Sequence, residues 1–179
     1  MIALPKTLVL VGLMGAGKSA IGRRLGEQIN VPFADSDAEI EERQGCSVSD
    51  IFEYAGEPAF RKMERETIAA DLERPPHILA TGGGAFIQPE TRAIIKARGI
   101  SVWLKADIEV LPERVSRKST RPLLEQGDKH TVLARLMEER YPIYAEANIV
   151  VRSDESPHQQ VIDNILTALE NYVRANPPA

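Results

Sequence analysis

The chain has 179 residues, of which 43% are hydrophobic and 27% are charged, and these proportions predict one soluble globular domain. Its formal net charge of −4 argues against a general nucleic-acid binder, because such proteins usually carry a basic excess. No stretch of the sequence approaches the ~20 apolar residues of a membrane span, and a single cysteine, Cys46, excludes an intrachain disulfide. We therefore expect a cytoplasmic protein with neither a nucleic-acid nor a membrane partner.

The first predicted strand, residues 7–11, leads directly into G-L-M-G-A-G-K-S at residues 12–19, named here the phosphate loop. This is the phosphate-binding pattern G-x-x-x-x-G-K-[ST] in its usual context, because apolar spacing predicts a helix from Lys18 to about Ile29. Glycines let successive backbone N–H groups face a polyphosphate at the helix N-terminus. Lys18 would contact the outer phosphates, and the Ser19 hydroxyl would ligate Mg²⁺. The pattern predicts a nucleoside-triphosphate site; the alternative is a glycine-rich turn that contains Lys-Ser by chance.

The second predicted strand, residues 32–34, leads into Asp35-Ser36-Asp37. Alternation along an extended chain predicts that both carboxylates point the same way. One would hold the Mg²⁺ that bridges phosphates, and the other would accept a hydrogen bond from an attacking hydroxyl. In the alternative interpretation both aspartates cap the following helix. Asp35 is the better metal candidate, because the third predicted strand, residues 77–80, ends without an acidic residue.

Residues of about 36–72 form an insertion, since they contain two predicted helical patterns where a crossover requires one. Ser47, three residues before Asp50, resembles a capping box at the start of a helix. Arg61 and Glu64 share one face of the next helix at spacing i, i+3, which is usually a solvated salt bridge. Insertions of this kind tend to be lids or binding loops near the carboxyl ends of strands.

Three glycines, Gly82, Gly83 and Gly84, follow the third predicted strand. A backbone without side chains would let a ligand approach closely, although a bare flexible turn explains the glycines equally well. The next predicted helix begins at Pro89 and ends before Gly99. It is followed by a predicted strand at residues 100–104.

The polar segment of about 116–128 contains Pro and Gly, and it predicts a second lid or binding loop. Within it, Arg121 would stabilise the charge of a transferring phosphoryl group. Arg140 ends a charged helical run, where a cation usually complements a helix C-terminus. A strand at residues 148–151 and a helix opening at residues 156–157 complete the pattern. Strands that alternate with helices predict an α/β fold with a parallel sheet.

Taken in chain order, these features resemble the shikimate kinase family over nearly the entire chain. The resemblance rests on six motifs: G-L-M-G-A-G-K-S at residues 12–19, Asp35-Ser36-Asp37, Phe60-Arg61 with Glu64, Gly82-Gly83-Gly84, Arg121-Pro122-Leu123-Leu124 and Arg140-Tyr141-Pro142-Ile143-Tyr144. It implies a P-loop fold like that of nucleoside-monophosphate kinases: a five-stranded parallel sheet of order 2-3-1-4-5, flanked by helices, in one kinase domain spanning residues 1–179.

The resemblance also implies an activity: ATP-dependent phosphorylation of the 3-hydroxyl of shikimate, a step of aromatic amino-acid biosynthesis. ATP and shikimate are then the partners, Mg²⁺ is the cofactor, and the enzyme is a monomer. The insertion at about 36–72 would bind the acceptor, and the segment at about 116–128 would be the lid.

Individual roles follow from the same resemblance. Asp37 would orient and deprotonate the acceptor hydroxyl, while Arg61 and Arg140 would hold the shikimate carboxylate. The glycines would line the acceptor pocket, with Gly83 making the direct contact. Asp35 and Ser19 would hold Mg²⁺, and the catalytic groups would be Lys18, Asp37 and Arg121. The nucleotide-binding residues would be Gly15, Ala16, Gly17, Lys18, Ser19, Ala20, Arg114 and Arg121.

Two alternatives stay open from the sequence. A gluconate-type small-molecule kinase of the same fold needs a similar phosphate loop and arginines, although the glycines at 82–84 and the motif at 121–124 favour shikimate. A low-turnover regulatory module would also bind the nucleotide. A GTPase switch is disfavoured, because the chain lacks the Asn-Lys-x-Asp pattern that specifies guanine.

Overall fold

The sheet of this protein contains five parallel strands. The structure, a computed structural model, describes residues 3–109, 111, 128–154 and 156–178. The strands are β1 (Thr7–Val11), β2 (Phe33–Asp35), β3 (Ile78–Ala80), β4 (Gly99–Lys105) and β5 (Ile149–Arg152). Their order is β2-β3-β1-β4-β5, and every neighbouring pair is parallel. The predicted fold class and strand order are confirmed; β1 has the predicted bounds, and the ends of the other strands differ from the predicted ones by at most one residue.

Helices connect these strands. Within the described residues they are α1 (Lys18–Ile29), α2 (Ser36–Gln44), α3 (Val48–Ala55), α4 (Glu57–Asp71), α5 (Pro89–Arg98), α6 (Lys129–Tyr144) and α7 (His158–Ala175). Helices α1 and α5 have the predicted bounds. The capping box is also confirmed: Ser47 Oγ accepts from the N–H of Asp50, and the Asp50 carboxylate accepts from the N–H of Ser47.

The insertion contains three helices, so the prediction of two was wrong. Gly45 adopts a left-handed conformation with φ 69° and ends α2. Gly56, with φ 83°, separates α3 from α4. Because side-chain-bearing residues rarely adopt such φ values, each glycine breaks what would otherwise read as a continuous helical pattern.

The main hydrophobic core lies against the sheet. Strands β1 and β3 are buried along their whole length, and Leu8 of β1 lies between Ile78 of β3 and Ile100 of β4. Helices α2, α3 and α4 have a second, smaller core of Ile40, Ile51 and Phe60. The insertion therefore packs partly on itself.

Part of the predicted site lies outside the described residues. Arg114, Arg121 and the predicted lid at about 116–128, apart from its last residue, belong to the parts of the chain that the structure leaves undescribed. That last residue, Asp128, caps α6, because its carboxylate accepts from the N–H of Thr131 at 3.1 Å. Within the described ranges, no helix combines the length and apolarity needed to span a membrane.

Candidate active site

The phosphate loop follows β1, the middle strand of the sheet. Gly15 and Gly17 have φ values of 81° and 95°, which only glycine adopts readily, and Gly17 is the N-cap of α1. A β-carbon on Gly12 would lie 2.7 Å from the carbonyl oxygen of Leu104. The loop therefore lies directly against the carboxyl end of β4, and its shape requires the glycines that the motif supplies.

Two side chains hold the phosphate loop in place. Lys18 is only 8% exposed, and its ammonium donates to the carbonyl oxygens of Gly12 at 2.6 Å and Leu13 at 2.9 Å. Ser153, directly after β5, donates from Oγ to the carbonyl oxygen of Ala16 at 2.6 Å. Sequence reasoning assigned no role to Ser153; its position at the carboxyl end of a strand was the available signal.

Ser19 and Asp35 meet beside this loop. The Ser19 hydroxyl donates to Asp35 Oδ2 at 2.6 Å. The other oxygen, Oδ1, accepts from the N–H groups of Asp37 at 3.0 Å and Ala38 at 3.2 Å, so Asp35 also caps α2. A hydroxyl and a carboxylate beside a phosphate site are oxygen donors of the kind that Mg²⁺ prefers, so the residues present fit the metal.

The extended backbone from which we predicted a common direction for the Asp35 and Asp37 carboxylates does not continue past Asp35. Strand β2 ends at Asp35, and Asp37 already belongs to the first turn of α2. The period-2 alternation therefore does not apply to this pair. Asp37 is directed instead toward Gly82, where an added β-carbon would lie 2.9 Å from Asp37 Oδ1.

Glu64 faces the same glycine, and it is completely buried. Its Oε2 would lie 3.1 Å from a β-carbon on Gly82. The pKa of Glu64 is raised to about 7, mainly by burial and in smaller part by the charge of Asp37, with the cations Arg61 and Arg140 acting in the opposite direction. Glu64 therefore holds its proton more tightly than an exposed glutamate does.

Arg61 lies between Glu64 and the glycine turn, residues 82–84. Its Nη1 is 2.8 Å from Glu64 Oε1, and its side chain is 12% exposed, so this pair is not the solvated salt bridge that the spacing suggested. A β-carbon on Gly84 would lie 2.6 Å from Arg61 Cζ. The guanidinium therefore packs on the backbone of the turn. The rings of Phe60 and Phe52 flank it, with centroids 5.3 Å and 5.9 Å from Cζ.

Gly83 joins these groups to the phosphate loop. A β-carbon on Gly83 would lie 3.4 Å from the backbone nitrogen of Met14 and 3.5 Å from Arg140 Nη1. Arg140 lies within α6, before its last turn, so the interpretation of a charge at the helix C-terminus was wrong. The glycine turn is thus a packed surface rather than a bare flexible turn. Four charged side chains from neighbouring helices pack on this turn and are named here the charged cluster: Asp37, Arg61, Glu64 and Arg140.

The structure therefore brings most of the sequence-predicted residues together in two adjoining groups. Gly15, Ala16, Gly17, Lys18 and Ser19 form the loop, with Asp35 beside them, while Ala20 is exposed in the first turn of α1. Sequence reasoning did not place Glu64 or Tyr144 in the site. The available signal was that both residues belong to motifs shared with the family. In the structure, the Tyr144 hydroxyl donates to the carbonyl oxygen of Gly83.

A phosphate loop after the central strand of a parallel sheet, with strand order 2-3-1-4-5 and polar groups at the carboxyl ends of neighbouring strands, places this chain among the P-loop kinases. Residues 14–170 match the family model described as shikimate kinase. The chain belongs to the shikimate kinase family.

Individual relatives agree with that model. A shikimate kinase of Caulobacter vibrioides is 56% identical over 164 residues, which cover 92% of this chain and 82% of that protein. A shikimate kinase of Paramagnetospirillum magneticum is 55% identical over 169 residues, covering 94% and 86%. The structure of the Acinetobacter baumannii shikimate kinase in complex with shikimate has a TM-score of 0.89 and 34% identity, and covers 97% of this chain and 96% of that one.

Proposed function

We propose that this chain transfers the γ-phosphate of ATP to the 3-hydroxyl of shikimate, giving ADP and shikimate 3-phosphate in aromatic amino-acid biosynthesis. The observation that carries the proposal is the position of Gly83, where an added β-carbon would lie 3.4 Å from the Met14 nitrogen and 3.5 Å from Arg140 Nη1. This position sets the charged cluster directly against the phosphate loop. Membership of the family supports shikimate as the acceptor and disfavours the gluconate-type and regulatory alternatives.

The phosphate loop supplies the nucleotide side of the reaction. Phosphate oxygens would replace the Gly12 and Leu13 carbonyls as partners of the Lys18 ammonium, and the positive end of the α1 dipole would add to that attraction. The backbone of Gly15, Ala16, Gly17 and Ala20 would complete the cradle. Arg114 and Arg121 stay predictions, because they lie outside the described residues.

The charged cluster supplies the acceptor side. Shikimate carries one carboxylate, which the guanidinium groups of Arg61 and Arg140 would bind at the glycine turn. Asp37 would accept the proton of the 3-hydroxyl as that oxygen bonds to the γ-phosphorus and the bond from the γ-phosphorus to the ADP oxygen breaks. The backbone of Gly82, Gly83 and Gly84 would line the pocket.

The insertion at about 36–72 is the acceptor-binding unit of the domain. It contributes Asp37 from α2 and Arg61 from α4, and its separate small core joins these two helices to α3. Movement of this unit would carry both groups together toward the phosphate loop and exclude water from the transferring phosphoryl group.

A direct assay tests the function. Purified protein with Mg²⁺ and ATP should release ADP rapidly with shikimate, and only at background rate with gluconate or AMP. The product should be phosphorylated at the 3-hydroxyl when examined by ³¹P nuclear magnetic resonance, and a chelator of Mg²⁺ should stop the reaction. ATP binding without shikimate-dependent ADP release would overturn the proposal and favour a regulatory module.

The magnesium site has its own test in Asp35→Asn. Ser19 and Asp35 would hold the Mg²⁺, and the metal would supply positive charge against the phosphates. Asparagine is as good an N-cap as aspartate, so the α2 cap should persist while the negative charge is lost. The Mg²⁺ concentration for half-maximal rate should rise about tenfold. An unchanged Mg²⁺ dependence would remove Asp35 from the metal site.

A further inference from the structure

We propose that Tyr144 is a positioning residue for the acceptor, and that its hydroxyl fixes both the Gly83 carbonyl and the Arg140 guanidinium. The proposal rests on the function proposed above and assigns to Tyr144 a role that acts through Gly83 and Arg140. The following contacts support it.

Tyr144 reaches the glycine turn from the end of α6. It is completely buried, and its hydroxyl donates to the carbonyl oxygen of Gly83. Arg140 lies four residues earlier, so both side chains project from the same face of the helix. A β-carbon on Gly83 would lie 3.5 Å from Arg140 Nη1. The phenol, the turn and the guanidinium therefore form one contiguous group.

The protonation of this phenol is stable. Burial raises the pKa of Tyr144 to about 12, and the opposing influence of Arg140, through charge and hydrogen bonding, does not cancel that shift. The hydroxyl is therefore a neutral donor throughout the physiological pH range. It is a structural contact, and proton transfer is not part of its role.

The ring of Tyr144 is itself held by the sheet. Its centroid lies 5.8 Å from that of Trp103, a buried residue of β4. A ring fixed in this way places its hydroxyl at one point relative to the carboxyl ends of the strands. Loss of the hydroxyl would leave the Gly83 carbonyl without this donor, and the turn that supports Arg140 would relax.

The neighbouring Tyr141 offers a matched control. It belongs to the same helix and packs edge-on against Trp103, with ring centroids 4.9 Å apart. Its hydroxyl also donates to a backbone carbonyl, that of Ala106 after β4. Burial raises its pKa to about 12 as well. The two tyrosines thus hold different carbonyls, and Tyr141 is partly buried whereas Tyr144 is completely buried.

The experiment compares Tyr144→Phe with Tyr141→Phe by calorimetric titration with shikimate, by steady-state kinetics and by thermal unfolding. Tyr144→Phe should raise the Kd and the KM for shikimate about five- to tenfold, the value of one lost hydrogen bond, with the KM for ATP unchanged. Tyr141→Phe should leave the shikimate Kd at the wild-type value. Both variants should lose thermal stability, and Tyr144→Phe should lose more, because its hydroxyl is removed from a completely buried site.

Three results would overturn the proposal. They are a wild-type shikimate Kd in Tyr144→Phe, an equal rise in Tyr141→Phe, and a Tyr144→Phe chain that does not fold, which would give the hydroxyl a role in stability alone. A second measurement separates the mechanism: in an Arg140→Lys background, Tyr144→Phe should change the Kd by less than in the wild type. A wild-type chain that fails to bind shikimate would instead overturn the proposed function, and this inference with it.

Discussion

Asp37→Asn should lower kcat with shikimate about 10²- to 10⁴-fold, the usual contribution of a positioned general base, and leave the affinity for ATP unchanged. Asparagine has nearly the same shape as aspartate, but it cannot accept the hydroxyl proton. Asp37 stands in the first turn of α2 with its carboxylate at Gly82, so ATP at the phosphate loop should not sense the substitution directly. Steady-state kinetics and calorimetric titration with ATP measure the two quantities.

The control for this substitution is Glu42→Gln on the same helix. Glu42 is exposed, so the variant removes one negative charge from α2 without touching the charged cluster, and kcat should stay at the wild-type value. Turnover near that of the wild type in Asp37→Asn would exclude Asp37 as the base. Equal losses in both variants would point to the net charge of α2 instead.

Local patterns were sufficient to predict the framework of the site. Apolar runs and helix termini are short-range signals, so the strands, the capping box at Ser47 and the helix between Pro89 and Gly99 could be identified from sequence. The phosphate loop could be identified for the same reason, because one short pattern fixes its glycines, Lys18 and Ser19. The sheet order was predicted through the family resemblance, not through periodicity.

Longer-range features were missed because the sequence does not show which surface a side chain faces. An Arg-Glu pair at spacing i, i+3 has the same pattern on a solvent-facing and a buried helix face, so the burial of Glu64 was hidden. The glycine turn could not be distinguished from a flexible turn, because the groups packed on it come from α2, α4 and α6. The alternation argument failed at Asp37 for a local reason: Asp35 caps a helix, so the extended backbone ends there.

Arg61→Met should weaken shikimate binding about 10²-fold, because a desolvated charge pair with the substrate carboxylate would lose one partner. It should also destabilise the fold, since Glu64 stays buried without its cation. Arg65→Met is the matched control. Arg65 lies on the same helix, its side chain is 35% exposed, and it pairs with the exposed Glu90, so neither shikimate affinity nor stability should change appreciably.

The free energy of unfolding of Arg61→Met should fall as pH rises, because the pKa of Glu64 is raised in the folded state. The pKa of Glu64 in the folded chain, about 7, is above its ordinary value of 4.5. The folded state therefore binds the proton more tightly than the unfolded state, and stability is lost as pH rises from 4.5 through 7. For the wild type this loss is on the order of 3 kcal/mol. Without Arg61 the pKa rises further, and the loss grows at pH 8.

The double variant Arg61→Met/Glu64→Gln separates the two roles of the arginine. Glutamine carries no charge to desolvate, so thermal unfolding at pH 8 should return toward that of the wild type, and the difference in stability between pH 5 and pH 8 should shrink. Shikimate affinity should stay low, because the substrate carboxylate still lacks its guanidinium partner. Recovery of affinity together with stability would show that Arg61 acts by supporting the glycine turn rather than by binding the acceptor.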